Sequence, residues 1–258
     1  MPKPMERTDW PGPEPAFGLG RYCLFLDVDG TLVEFAASPD GVHVDDALAS
    51  LMDQGSRALG GALALVSGRS IADLDQLFAP RRWPAAGLHG LERRDADGRT
   101  HATTEGIEQL ATARAMLAAI ASQHPGVIVE DKAASLAVHF RQAPQLESSL
   151  TWILEQLVRD LGSGFQLQPG ACVLELKLKG PTKGHAINAF LAEPPFAGRI
   201  PVFAGDDLTD LDGFVAVENA GGLSISVGDR VRGRLRLPSP AALRGFLADL
   251  IGAERRHA

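Results

Sequence analysis

Asp27 and Asp29 stand two residues apart at the end of an apolar run, Cys23-Leu24-Phe25-Leu26, with Gly30 and Thr31 behind them. Carboxylates at that spacing repel, and a cation, a shared proton or a phosphoryl group is what usually holds such a pair together. Asp29-Gly30 alone reads as a turn. The longer string reads as a reaction site, because two more polar strand ends follow. Ser67-Gly68-Arg69 closes an apolar run at 61–66, and Gly205-Asp206-Asp207 with Asp210 closes another at 200–204. In open parallel sheets ligands bind beyond the carboxyl ends of the strands, so neighbouring strands would bring these groups into one crevice.

Lys183 lies in Gly180-Pro181-Thr182-Lys183-Gly184, at the start of a helix with Thr182 as its N-cap. An ammonium in the first turn opposes the helix dipole, a placement that makes sense if it faces an anion. Ser67 with the amides after it is suited to cradle a phosphate at a helix start, and serves equally well as a plain N-cap. Asp207 and Asp210 read either as helix N-terminal acids or as part of the acidic site. An acidic site with no His or Cys beside it suits a hard cation such as Mg²⁺. The seven histidines are scattered without zinc-ligand spacing.

Apolar runs alternating with helical patterns predict an α/β class with a parallel sheet. Strands are expected at 22–27, 61–66, 200–204 and 222–227. Helices are expected at 45–58, from 71, and at 182–192 and 208–217. Residues 85–102 read as a short strand and a hairpin turning at Asp97-Gly98. From 105 to 178 the pattern changes to two helix-hairpin units. A helix at 106–122 leads to strands 126–130 and 135–141. A helix at 144–161 leads to strands 164–168 and 171–178, joined by a turn at Gln168-Pro169-Gly170. This predicts an inserted antiparallel sheet with helices on one face. On it His139 and Arg141 share one face, as do Glu175 and Lys177, with apolar residues opposite.

The 258 residues are 45% hydrophobic and 22% charged, ample for a sizeable core. A net charge of -7 argues against a nucleic-acid binder. The two cysteines read as reduced thiols, no apolar stretch reaches membrane-span length, and the proline-rich start reads as a loose tail, not a signal peptide. A cytoplasmic protein is expected.

Asp27-x-Asp29-Gly30-Thr31, Ser67-Gly68-Arg69, Lys183 and Gly205-Asp206-Asp207-x-x-Asp210 resemble the four motifs of haloacid dehalogenase-type phosphatases. Gly87-Leu88-His89-Gly90, the string from Glu130 to Arg141, and Glu175 to Gly184 resemble the trehalose-6-phosphate phosphatase branch in particular. The resemblance implies a Rossmann-like parallel-sheet core at 21–104 and 179–258, an inserted α+β cap at 105–178, and a tail at 1–20. It implies hydrolysis of trehalose 6-phosphate, the last step of trehalose biosynthesis; a monomer is expected, with an oligomer left open. Asp27 would be the nucleophile, Asp29 the acid and base, and Ser67 and Lys183 the phosphoryl ligands. Mg²⁺ would be held by Asp27, Asp206 and the Asp29 carbonyl, with Asp207 and Asp210 behind. Arg69, Gly87, His89, Gly90, Glu130, Lys132, His139, Arg141, Glu175 and Lys177 would bind substrate. Leu211 stands where the family usually has Glu, and Phe140 where it usually has Tyr. Another sugar-phosphate phosphatase and a non-catalytic sugar-phosphate sensor are the alternatives.

Overall fold

The computed structural model describes residues 19–34, 42–102, 107–131 and 135–254. The expected tail up to residue 18 and Lys132 lie outside the described residues. The chain forms two compact units, one running up to Ala102 and resuming at Pro181, the other spanning Thr103–Gly180.

The first unit is built on one sheet. Its strands are β1 (Tyr22–Leu26), β2 (Leu63–Val66), β3 (Ala85–Gly87), β4 (Glu92–Arg94), β5 (Thr100–Ala102), β10 (Ile200–Gly205), β11 (Leu223–Val227) and β12 (Leu235–Leu237). They lie in the order β12-β11-β10-β1-β2-β3-β4-β5. The six from β12 to β3 run parallel, and β4 and β5 add an antiparallel edge. The expected parallel core is therefore joined to the 85–102 hairpin in one mixed sheet. The central strands are buried on both faces, which is why they read as unbroken apolar runs.

Helices α1 (Asp46–Ala58), α2 (Ile71–Leu77), α5 (Lys183–Leu191), α6 (Leu211–Asn219) and α7 (Pro240–Glu254) connect and cover these strands. α1 packs with α7, and α5 with α6. Leu24 lies near Phe246 and Leu247 of α7. Its neighbour Phe25 stacks on Phe196, 5.4 Å between ring centroids, and meets Phe190 of α5 at 5.9 Å. Successive strand residues point to opposite faces, so α5 and α7 cover opposite sides of the sheet. A fully buried ring of this kind contributes about 1.5–3 kcal/mol. The sequence pattern did not single out β12 or α7; the three-residue β12 is too short to show a period.

The second unit has its own core, a sheet ordered β6-β7-β9-β8 and two helices. These are α3 (Ile107–Gln123), β6 (Ile128–Asp131), β7 (Ser135–His139), α4 (Glu147–Leu161), β8 (Phe165–Gly170) and β9 (Val173–Leu178). All its pairings are antiparallel. Two expectations are corrected here. β7 stops at His139, because its partner β9 begins at Val173, opposite it. Phe140 N–H bonds the Cys172 carbonyl and Ala143 N–H bonds the Phe140 carbonyl, so Arg141 sits in a turn and shares no strand face with His139. The predicted turn at 168–170 belongs to β8, with Gln168 opposite Glu175 and Pro169 opposite Leu174. β8 is an edge strand, where a residue lacking an N–H is tolerated. The chain reverses instead at Ala171-Cys172, with Cys172 at φ 59°.

Among the described residues no helix is long and apolar enough to cross a membrane. Both cysteines are free thiols. Burial pushes the Cys23 thiol up to about 12, against a smaller opposing pull from Arg199. Cys172 is only partly buried. A thiolate reagent at pH 8 should therefore modify one cysteine in the native protein and two in denaturant, with mass mapping placing the native adduct on Cys172. Two fast native thiols would contradict the buried position of Cys23.

Candidate active site

Asp27 follows the last residue of β1, and its N–H donates to the Ala204 carbonyl at 3.0 Å, so it stays in register with β10. The chain then folds back tightly. Leu32 and Val33 N–H groups donate to the Val28 carbonyl, and Gly30 N–H to that of Val33. Gly30 takes φ 79°, a left-handed conformation that favours glycine. The reversal turns the Thr31 hydroxyl toward two carboxylates, Asp27 Oδ2 at 3.3 Å and Asp206 Oδ1 at 3.1 Å. A hydroxyl has one proton to share between them.

Lys183 is the N1 residue of α5, and Thr182 caps that helix by accepting from the His185 N–H. Its Nζ donates to Asp27 Oδ1 at 2.8 Å and to Asp210 Oδ1 at 2.6 Å. Lys183 is 3% exposed and Asp210 not at all. Burial alone would depress the lysine, but the two carboxylates outweigh it and push its pKa up. The ammonium is thus held charged, and these ion pairs offset its unfavourable place at a helix start.

Asp210 uses its other oxygen to accept from the Asp206 and Asp207 N–H groups, at 2.9 and 3.0 Å. The approach is so close that a Cβ at Gly205 would fall 2.4 Å from the Asp210 carboxyl carbon. Both oxygens of Asp210 are engaged, so it organises the loop after β10 from within. Asp207 takes the capping role that the sequence allowed, accepting from Thr209 N–H at 2.6 Å. Burial raises its pKa, but the Thr209 bonds and the nearby Lys183 hold it below the ordinary range.

Carboxylate oxygens of Asp27, Asp206 and Asp210 lie within 4.8 Å of one another. Burial pushes Asp27 up, and the Lys183 ammonium pulls it back. Asp206 is pushed up to about 6, by burial first and then by the charge of Asp210, against the Thr31 hydrogen bond. The net effect leaves Asp27 well above the ordinary carboxylate range, so the three carboxyls around one buried ammonium resist full ionisation on their own. Arg230, which sequence reasoning missed, reaches Asp206 at 3.4 Å from the loop after β11, with its side chain 59% exposed. Only the proximity of a fourth parallel strand end could have pointed to it.

The other expected residues fall into two groups. β2 pairs with β1 on the side away from β10, so Ser67 occupies the adjacent strand tip, buried. The cap of α2 is Ser70, in a capping box with Asp73, and the Ser67 hydroxyl accepts from Arg69 N–H at 3.2 Å. The Asp29 side chain turns to Arg69 and stands outside the acidic cluster. Gly87 ends β3 in an extended conformation, and His89 and Gly90 follow with Leu88 in a turn of positive φ beside the 67–71 loop. Glu130, His139, Glu175 and Lys177 belong to the second unit. There His139 meets Glu130 at 2.9 Å, Ser135 donates to Glu175 at 2.6 Å, and Lys177 donates to Gln168.

Breaking the central ion pairs tests this geometry. Lys183→Met leaves buried carboxylates without their cation and should cost about 3–5 kcal/mol at pH 7 in denaturant unfolding. The deficit should shrink at pH 5, because protonation removes the uncompensated charge. A deficit independent of pH would mean that packing alone is lost.

The sequence profile of the trehalose-phosphatase family matches residues 25–236. The chain is 45% identical over 237 residues to a probable trehalose-phosphate phosphatase of Sinorhizobium fredii, covering 90% of this chain and 88% of that protein. It is 44% identical over 208 residues to the trehalose-6-phosphate phosphatase of Escherichia coli, covering 81% and 78%. The crystal structure of a trehalose-6-phosphate phosphatase related protein superimposes with a TM-score of 0.70 at 25% identity, covering 92% of this chain and all of that one. With its parallel-sheet core and acidic strand-tip site, the chain belongs to the trehalose-phosphatase family of phosphoric monoester hydrolases.

Proposed function

We propose that this chain hydrolyses trehalose 6-phosphate to trehalose and phosphate with the help of Mg²⁺. The observation that carries the reading is the buried cluster of Asp27, Asp206, Asp210 and Lys183, beyond the adjacent ends of β1 and β10 and at the start of α5, in a chain so similar to named trehalose-phosphate phosphatases. The residues fit a divalent cation: three buried carboxylates crowd one another around a single buried ammonium, and Asp27 and Asp206 compete for one Thr31 proton. Asp27, Asp206 and the Asp29 carbonyl would hold it. A divalent cation there would supply charge neutralisation for the attack of a carboxylate on a phosphate ester.

The protein's own groups perform the transfer. Asp27 attacks phosphorus, forming a carboxyl–phosphate bond as the bond to the sugar oxygen breaks. Asp29 gives that oxygen a proton. Water then attacks the aspartyl-phosphate, Asp29 takes its proton, and phosphate leaves with Asp27 restored. Ser67 and Lys183 bind the equatorial phosphoryl oxygens, where transition-state charge is spread. In the second unit, which serves as the cap, the polar sheet face bearing Glu130, His139, Glu175 and Lys177 supplies sugar-recognising groups.

Phosphate release from trehalose 6-phosphate, sucrose 6-phosphate and glucose 6-phosphate, each with and without chelator, tests the proposal. The trehalose ester should be preferred, chelator should abolish release, and Asp27→Asn should lower turnover about a thousandfold or more while the protein stays folded. Preference for another ester would reassign the substrate, and no release from any would favour a sensor.

The raised Asp206 gives a pH test. As pH falls through about 6 this carboxyl takes up a proton, which competes with the cation. Mg²⁺ affinity measured by calorimetry should drop by at least about tenfold from pH 7 to pH 5, and Asp206→Asn should make that drop smaller. An Asp206→Asn variant with the same affinity and the same pH dependence as the parent would remove Asp206 from the ligand set.

A further inference from the structure

Arg69 grips Asp29 with two prongs. Its Nε donates to one carboxylate oxygen and a terminal nitrogen to the other, both at 2.7 Å. The pair is partly shielded, with side-chain exposures of 16% and 29%. A bidentate guanidinium–carboxylate contact fixes orientation as well as distance.

The backbone beneath Arg69 is braced from the neighbouring strand tip. Leu88 N–H donates to the Arg69 carbonyl at 2.9 Å, and His89 N–H to the Ser67 carbonyl at 3.0 Å. The Glu92 carboxylate accepts the Ile71 N–H. Leu88 and His89 make these bonds with φ of 50° and 59°, a conformation that costs about 1–2 kcal/mol for each non-glycine residue. The His89 ring lies against Gly68, where a Cβ would fall 2.7 Å from its Cε1. Strain and close packing are both spent on the loop that carries Arg69.

We propose that Arg69 is a positioning residue for Asp29, aiming the carboxyl at the leaving oxygen of the ester, rather than a substrate ligand. The inference rests on the reading of Asp29 as the group that protonates that oxygen. Two prongs suit the task. When Asp29 carries the proton it will donate, one carboxyl oxygen bears hydrogen and releases its prong, while the other oxygen stays held.

The test compares kcat/KM for trehalose 6-phosphate, whose sugar oxygen leaves only with a proton, and for p-nitrophenyl phosphate, whose phenolate leaves without one. Arg69→Ala should lower the first about a hundredfold or more and the second only a few-fold. Arg69→Lys keeps the charge without the fork and should show the same pattern, which guards against an alanine variant that does not fold. Asp29→Asn should be selective in the same way, and adding Arg69→Ala to it should produce no further selective loss. Equal losses on both esters would make Arg69 a phosphoryl ligand and overturn the proposal. A gain on the sugar ester would overturn it too. If Asp29→Asn is selective and both Arg69 variants are not, the positioning role alone falls. If Asp29→Asn shows no selectivity, the reading of Asp29 falls and takes this inference with it.

Discussion

Three buried carboxylates at the tips of neighbouring strands repel one another, and Lys183 is the buried cation that lets two of them remain there. Its ammonium is reached from a helix start, a position unfavourable for a cation until Asp27 and Asp210 are placed opposite. The interaction therefore ties three separate stretches of chain: the turn after β1, the loop after β10 and the first turn of α5. Asp210 carries the constraint further, since its second oxygen fixes the amides of Asp206 and Asp207. The carboxylates crowded around the Thr31 hydroxyl are what suit the cluster to the cation of the proposed function and distinguish it from a simple structural ion pair.

The sheet makes this concentration possible. Parallel strands end on the same side, so β10, β1 and β2 deliver their polar tips next to each other. Both faces of those strands are covered, with Phe25 against the α5 side and Leu24 against the α7 side. The polar groups are thus confined to the strand ends, in a setting of low water content where charges interact strongly. The 67–71 loop is held by a different device, the left-handed turn at Leu88 and His89, which places Ser67 and Arg69 without charge pairing of the backbone.

Much of this was legible in the chain. The unbroken apolar runs before Asp27, Ser67 and Gly205 announced buried parallel strands, because only strands covered on both faces lack alternation. Thr182 as the α5 cap followed from residue chemistry. Less legible were features set by pairing partners. Arg141 lost its place on the strand face because β9 begins at Val173, and Gln168-Pro169-Gly170 became strand because β8 is an edge. Ser67 could serve as a plain N-cap by its chemistry, and in the fold that role belongs to Ser70, three residues on.

What the sequence by itself determined is the set of elements and the order of the chemical groups at their ends, since periodicity and capping act over a few residues. The tertiary structure decided which groups touch. Asp29 faces Arg69, forty residues away, while Asp27 faces Lys183, 156 residues away, and Arg230 reaches Asp206 from a loop with no motif of its own. Two acids of the same type, two positions apart, acquire different partners because a tight turn separates their directions. Burial then raises the pKa of Asp27, and burial belongs to the packed whole, not to any local stretch of residues.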